Sequence, residues 1–260
     1  MDRNTSISIV DETVAIITLH QGKVNTLSRV LLEDLSLALK KIQDDPLRAV
    51  ILRAKPGVQV FSAGYDVREL PTGGGDPLSF ATPLRAVIRQ IQHLRQPVIA
   101  LVEGSVWGGA CELVFACDLI VTGEDTTFAF TPAKLGIPYD LQGIVNFLAV
   151  AGSHLLKEIL FLAQPIPVAR LEACGIVNRV VPRQELEPCA LGLARAIARN
   201  SPLVHHVLKE ELSALGAAHP IEPETQERLQ ALRRQVYESD DYQEGIRAFL
   251  EKRSPAFRGM

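Results

Sequence analysis

Glu103-Gly104-Ser105-Val106-Trp107-Gly108-Gly109-Ala110-Cys111-Glu112 is the stretch on which the reading of this chain turns. An uninterrupted apolar run, Val98-Ile99-Ala100-Leu101-Val102, precedes it, and Ala110-Cys111-Glu112-Leu113-Val114-Phe115-Ala116 continues it with helical character. The order is strand, glycine turn, helix. Glycines at such a junction let backbone N–H groups approach a ligand closely, and the helix start adds a dipole that favours negative charge. A second junction of small residues lies upstream, at Phe61-Ser62-Ala63-Gly64-Tyr65-Asp66. Two amides brought from these turns to one point would form an oxyanion hole. Spacing alone leaves open the plainer alternative, two ordinary tight turns.

Working outward, residues 6–11 and 14–19 alternate as a hairpin. Ser28 caps a helix through about residue 43, with Leu31, Leu32, Leu35 and Leu39 on one stripe. A buried strand is predicted at 49–52, a helix at 84–94, a strand at 98–102, a helix at 110–116 and strands at 119–121 and 128–130. A glycine-rich loop, Gly73-Gly74-Gly75, falls between the first two. Beyond residue 141 the pattern is helical (141–149, 155–162, 167–173, 185–199, 202–215, 223–239 and 241–252), interrupted by one strand at 178–181. The expected architecture is α/β, with a core over 1–140 and a helical C-terminal region over 141–260.

Composition narrows the function. The 260 residues carry 27 Lys+Arg against 30 Asp+Glu, and the pI near 6.1 gives no electrostatic footprint for nucleic acid or an anionic membrane. No apolar run approaches the ~20 residues of a bilayer span. Met1-Asp2-Arg3-Asn4-Thr5-Ser6 leads into the first strand without an apolar signal core, so a soluble, cytoplasmic protein is expected. Cys111, Cys117, Cys174 and Cys189 form no CxxC and read as small core hydrophobes. The six histidines have no ligand spacing, so no metal site is expected. Neither a phosphate-binding G-x-x-x-x-G-K-[ST] nor a G-x-S-x-G elbow occurs.

Taken together, Ser62-Ala63-Gly64-x-Asp66, Pro97-Val98-Ile99-Ala100-x-Val102-x-Gly104, Gly108-Gly109-x-Cys111-Glu112-Leu113 and Cys117-Asp118 resemble the crotonase (enoyl-CoA hydratase/isomerase) superfamily. The resemblance runs from Asn25-x-Leu27-Ser28 into the helical tail. It implies a spiral of β-β-α turns and assembly as a trimer or a dimer of trimers. It also implies a coenzyme A thioester as substrate, whose carbonyl oxygen accepts from the N–H groups of Tyr65 and Gly109. A narrower set is similar to the decarboxylating branch of the family: Val60-Phe61-Ser62-Ala63-Gly64, Glu69-Leu70-Pro71, Gly136-Ile137-Pro138-Tyr139 and Asp241-Tyr242-Gln243-Glu244-Gly245. That branch implies conversion of methylmalonyl-CoA to propionyl-CoA through a thioester enolate, without a metal or a further cofactor.

The same resemblance assigns the side chains. Glu112 stands at the first of the two glutamates with which hydratase members activate water. Ala133, in Thr131-Pro132-Ala133-Lys134, stands at the second. Alanine has no ionisable group, which disfavours two-carboxylate hydration. Glu112 reads equally as a base or as a carboxylate suited to a helix start. Tyr139 matches the tyrosine that orients the departing carboxylate. Tyr65 departs from the branch, which carries His there, although its backbone donor is kept. Thr131 is assigned to the acyl or thioester region. Ala63, Gly64, Tyr65, Asp66 and Val67 are assigned to contacts with coenzyme A, and Lys252 to the nucleotide phosphates. Two rivals stay open: an isomerase- or hydratase-like enzyme using Glu112 alone, and a non-catalytic acyl-CoA-binding subunit.

Overall fold

The hairpin opens the chain as β1 (Thr5–Val10) and β2 (Val14–Leu19), paired antiparallel with Thr5 opposite Leu19. The structure, a computed structural model, describes residues 4–70, 82–139, 141–216 and 223–259; the predicted Gly73–Gly75 loop lies outside them. The Ser28 side chain accepts from Leu31 N and starts α1 (Arg29–Gln43), which buries Leu31, Leu32, Leu35 and Leu39. Each such leucine is worth about 1.5–3 kcal/mol when removed from water.

Thereafter the chain repeats one motif. β3 (Ala49–Ala54) leads to the short β4 (Val60–Ser62), a 3-10 turn at Val67–Glu69 and α2 (Pro83–His93). β5 (Val98–Val102) leads to β6 (Ser105–Trp107) and α3 (Gly109–Phe115), and β7 (Leu119–Gly123) to β8 (Thr127–Ala129). The first strand of each turn enters a six-stranded sheet of order β1-β2-β3-β5-β7-β10, parallel beyond β2. The second enters a smaller sheet of order β4-β6-β8-β9. This is the spiral of β-β-α turns. The strands of the large sheet are covered on both faces, which explains why β5 is apolar throughout rather than alternating.

A 3-10 turn at Pro132–Leu135 follows β8, and α4 (Leu141–Val150) and α5 (Ser153–Leu162) come next. The chain then returns to both sheets. β9 (Ile166–Pro167) pairs with β8, and after α6 (Val168–Ala173) β10 (Arg179–Val181) pairs with β7. A 3-10 turn at Arg183–Glu185 then leads into α7 (Leu186–Ala198), which packs its buried alanines on the large sheet. α8 (Pro202–Gly216), α9 (Pro223–Tyr237) and α10 (Asp240–Leu250) end the chain. α8 is tied down by Lys209, which donates to Asp118 at 2.6 Å and to Gln96 O at 3.3 Å.

β4, β6 and β9 were not expected. Each has three residues or fewer, too few for a period-2 alternation to register. Cys111 and Cys117 are buried as expected, and burial pushes both thiols well above the ordinary range. Cys174 departs from the expectation: it caps the end of α6, where its side chain is exposed. Among the described residues, no helix is long and apolar enough to cross a membrane.

Candidate active site

The upstream junction, Phe61–Asp66, is built around Asn25 by hydrogen bonds of its side chain and backbone. The Asn25 amide donates to Phe61 O at 3.0 Å while its oxygen accepts from Gln21 N at 2.8 Å. Ser62 is buried and donates its hydroxyl to Asn25 O at 2.6 Å. The Gly64 N–H donates to Ser62 Oγ and the Ala63 N–H to Val24 O, so both amides are already engaged. The Tyr65 N–H comes next, and among the described residues it donates to no protein acceptor. Below it Asp66 accepts from Arg68 N, Nε and Nη2, and Glu69 accepts from the first amide of α1 at 2.9 Å. The Arg68 guanidinium holds the Asp66 carboxyl below the usual carboxylate range.

Gly64 is required by two independent constraints. Its φ is +84°, and a Cβ there would stand 2.5 Å from Trp107 O and 3.3 Å from Gly109 N. The two junctions therefore touch through their backbones. Gly108, at φ +54°, donates to Ala129 O and precedes α3. Gly109 N is the first amide of that helix, which no carbonyl within the helix reaches. A Cβ at Gly109 would lie 3.8 Å from Tyr65 N. Two N–H groups with no protein acceptor among the described residues, one from a loop and one from a helix start, thus lie near each other.

The side chains fall around this point as follows. Tyr65 is half-buried among Val67, Leu70 and Leu135, beside Tyr237 and Tyr242; burial, then the Glu69 charge, pushes its phenol up, so it is neutral near pH 7. Thr131 Oγ1 lies 3.7 Å from where a Cβ on Gly108 would be. Tyr139 presses its ring on Phe147 at 5.6 Å and on Phe130 at 6.5 Å, with its hydroxyl oxygen buried. Ala133 is exposed. Lys252 is exposed just past α10, at φ +56°, and makes no ion pair among the described residues.

Glu112 is one turn along α3 from Gly109, and its carboxylate meets Arg85 at 2.6 Å, with the two side chains 5% and 4% exposed. A Cβ on Gly143 would stand 2.8 Å from Arg85 Nη2 and 3.1 Å from Glu112 Oε2, so α4 closes over the pair with no room to spare. Sequence reasoning did not find Arg85, which sits 27 positions upstream in an unremarkable amphipathic helix. It also missed Arg233 on α9, whose guanidinium donates to the carbonyls of Pro138 and Tyr139. Neither arginine carries a local motif.

An α/β spiral with paired small-residue junctions and a glutamate one turn into the second helix defines a family. The enoyl-CoA hydratase/isomerase family model matches residues 10–260, and the chain belongs to that family. It is 49% identical over 247 residues, 95% of each chain, to methylmalonyl-CoA decarboxylase of Escherichia coli strain K12. It is 32% identical over 245 residues, 94% of each chain, to carnitinyl-CoA dehydratase of Citrobacter koseri. A solved structure of methylmalonyl-CoA decarboxylase with 2S-carboxypropyl-CoA superposes with a TM-score of 0.97 at 47% identity, covering 100% of both chains.

Proposed function

We propose that this chain decarboxylates methylmalonyl-CoA to propionyl-CoA, with the thioester oxygen held by the N–H groups of Tyr65 and Gly109. The observation that carries the reading is the meeting of the two junctions, which leaves those two amides unspent beside each other. In the reaction the bond from C2 to the carboxylate carbon breaks and its electron pair delocalises into the thioester, giving an enolate and carbon dioxide. A proton delivered to C2 then completes propionyl-CoA. Charge reaches the thioester oxygen only as that bond breaks, so donors aimed there favour the transition state over the ground state. The thioester is itself the electron sink.

Tyr139 is assigned to the departing carboxylate, held across the thioester plane so that the breaking bond lines up with the carbonyl π system. Its seat against Phe130 and Phe147 supplies the rigidity such a role needs. Thr131, whose Oγ1 lies near Gly108, is assigned to the acyl or thioester region. Coenzyme A is assigned to the backbone of Ala63, Gly64, Tyr65, Asp66 and Val67. Because the Ala63 and Gly64 amides are engaged and Gly64 O accepts from Leu27 N at 2.8 Å, the contribution assigned to this pair is the Ala63 carbonyl. Lys252 is assigned to the phosphates, and the region after residue 141 to completing the site and forming a trimer or a dimer of trimers. We also assign the protein to the cytoplasm.

Glu112 belongs to the pocket wall rather than to proton transfer, because its carboxylate is committed to Arg85 in a buried pair. The test is incubation with methylmalonyl-, malonyl- and crotonyl-CoA, following carbon dioxide and the product thioesters, for the parent and for Glu112→Gln. Carbon dioxide release from methylmalonyl-CoA is expected, with Glu112→Gln retaining a tenth or more of the parent turnover. That variant should also melt earlier, since removing one partner of a buried ion pair costs about 3–5 kcal/mol. Turnover of crotonyl-CoA that vanishes with Glu112→Gln would favour the one-glutamate enzyme. Affinity for coenzyme A without any turnover would favour the binding subunit.

A further inference from the structure

The segment that delivers Tyr139 is held from outside as well as by its own turn. Residues 132–139 form a 3-10 turn, a left-handed glycine at Gly136 (φ +64°) and a proline. Lys134 N donates to Thr131 O, Gly136 N to Ala133 O and Ile137 N to Pro132 O, and these bonds stop short of Pro138 and Tyr139. Its outer side is covered by the last two helices of the same chain. A Cβ on Gly245 of α10 would stand 2.1 Å from Leu135 O, and one on Gly136 would stand 2.8 Å from Asp241 O. Backbone therefore presses on backbone where the turn ends, at Leu135 and Gly136.

Beyond these contacts, at Pro138 and Tyr139, the segment meets Arg233 of α9. Its Nη1 donates to Pro138 O at 3.4 Å and to Tyr139 O, and its Nη2 donates to Tyr237 OH at 3.3 Å. The same guanidinium lies 5.7 Å from the centre of the Tyr237 ring, which is fixed edge-on to Tyr242 at 5.3 Å. Tyr237 and Tyr242 are 2% and 1% exposed. A planar fork satisfies carbonyls and a hydroxyl at fixed angles, which a lysine ammonium does not reproduce. Here it supplies donors to two successive carbonyls of a half-buried, irregular turn.

We infer that Arg233 is a positioning residue for decarboxylation: it fixes the Pro138–Tyr139 backbone and thereby the direction in which the Tyr139 side chain meets the substrate carboxylate. This rests on the role proposed for Tyr139. Arg233 touches no reacting atom. Its effect belongs to kcat, because misdirecting an orienting group by about 1 Å costs up to 100-fold in rate while the bulk of coenzyme A recognition lies elsewhere.

The test is a double-mutant cycle on the full chain with methylmalonyl-CoA as probe, using Arg233→Met and Tyr139→Phe, with circular dichroism and melting recorded for each. Arg233→Met is expected to lower kcat roughly 10- to 100-fold with KM changed less than about threefold. Arg233→Lys should recover only a small part. In the Tyr139→Phe background Arg233→Met should cost little more. Should Arg233→Met fold poorly, Tyr237→Phe removes one acceptor of the fork and keeps the ring; a smaller loss in the same direction, absent in the Tyr139→Phe background, is expected. If Tyr139→Phe slows turnover and the Arg233 effect is full and additive, or falls on KM alone, the inference is overturned while the reading of Tyr139 stands. If Tyr139→Phe is silent, that reading fails and takes the inference with it.

Discussion

Gly64 carries the heaviest demand of any residue in the site. At φ +84° a side chain is strained by about 1–3 kcal/mol, and a Cβ 2.5 Å from a carbonyl oxygen forces the two junctions apart. Gly64→Ala should therefore lower the melting temperature and cut kcat by 100-fold or more, the cost of losing one oxyanion donor, measured by turnover of methylmalonyl-CoA. A variant with parent-like turnover would remove the Tyr65 and Gly109 amides from the chemistry. This residue was legible in the sequence, because a positive φ and a close backbone approach leave only glycine. Glu112 was legible as a position but not as a role. Its partner Arg85 comes from another helix, and the pairing exists only once α2, α3 and α4 pack together. Local spacing carries no record of such a meeting.

At the scale of elements, long periods were readable, while of the three-residue strands β8 and β10 were expected and β4 and β6 were not. The stripe of α1 and the solid apolar runs of β3 and β5 announced themselves. The three-residue strands β4 and β6 read as turns, and pairing across the smaller sheet is what makes them strands. The last helix offers a pH test. Glu244 on α10 accepts from Arg253 Nη1 and Nη2 and from Ala256 N, and these hold its carboxyl down at about 2 against an ordinary 4.5. A carboxyl lowered on folding adds stability that is complete above its unfolded value and is lost as pH falls through the folded one. The protection of residues 253–259 from hydrogen exchange, taken against the intrinsic rate at each pH, should therefore be full above pH 4.5 and fall as pH approaches 2. In Glu244→Gln that acid dependence should disappear, with fast exchange throughout. Equal exchange in parent and variant at pH 7 would refute the anchoring.

The whole molecule leaves one surface unexplained by a single chain. α8 buries Lys209 against Asp118, yet Leu203, Val207, Leu212 and Leu215 are exposed along it, as are Phe161 and Leu162 on α5. A helix pinned to the core through a buried ion pair, with its apolar residues turned outward, is suited to a second copy of the same chain. Light scattering should give about three or six times 28.4 kDa, and Leu203→Asp with Leu212→Asp should lower that mass. A parent at 28.4 kDa would end the proposal of assembly. The spiral path was expected from the family likeness, the sheet order was not, and no residue pattern by itself fixes which strand neighbours which.

The seating of Gly245 on Leu135 joins positions 110 residues apart. The floor beneath Tyr139 is therefore laid by a part of the chain remote in sequence from the two glycine junctions. Loss of α9 and α10 would spare the residues of both junctions yet remove that floor, and Lys252 with it, so damage far from the reacting atoms would still reach the chemistry.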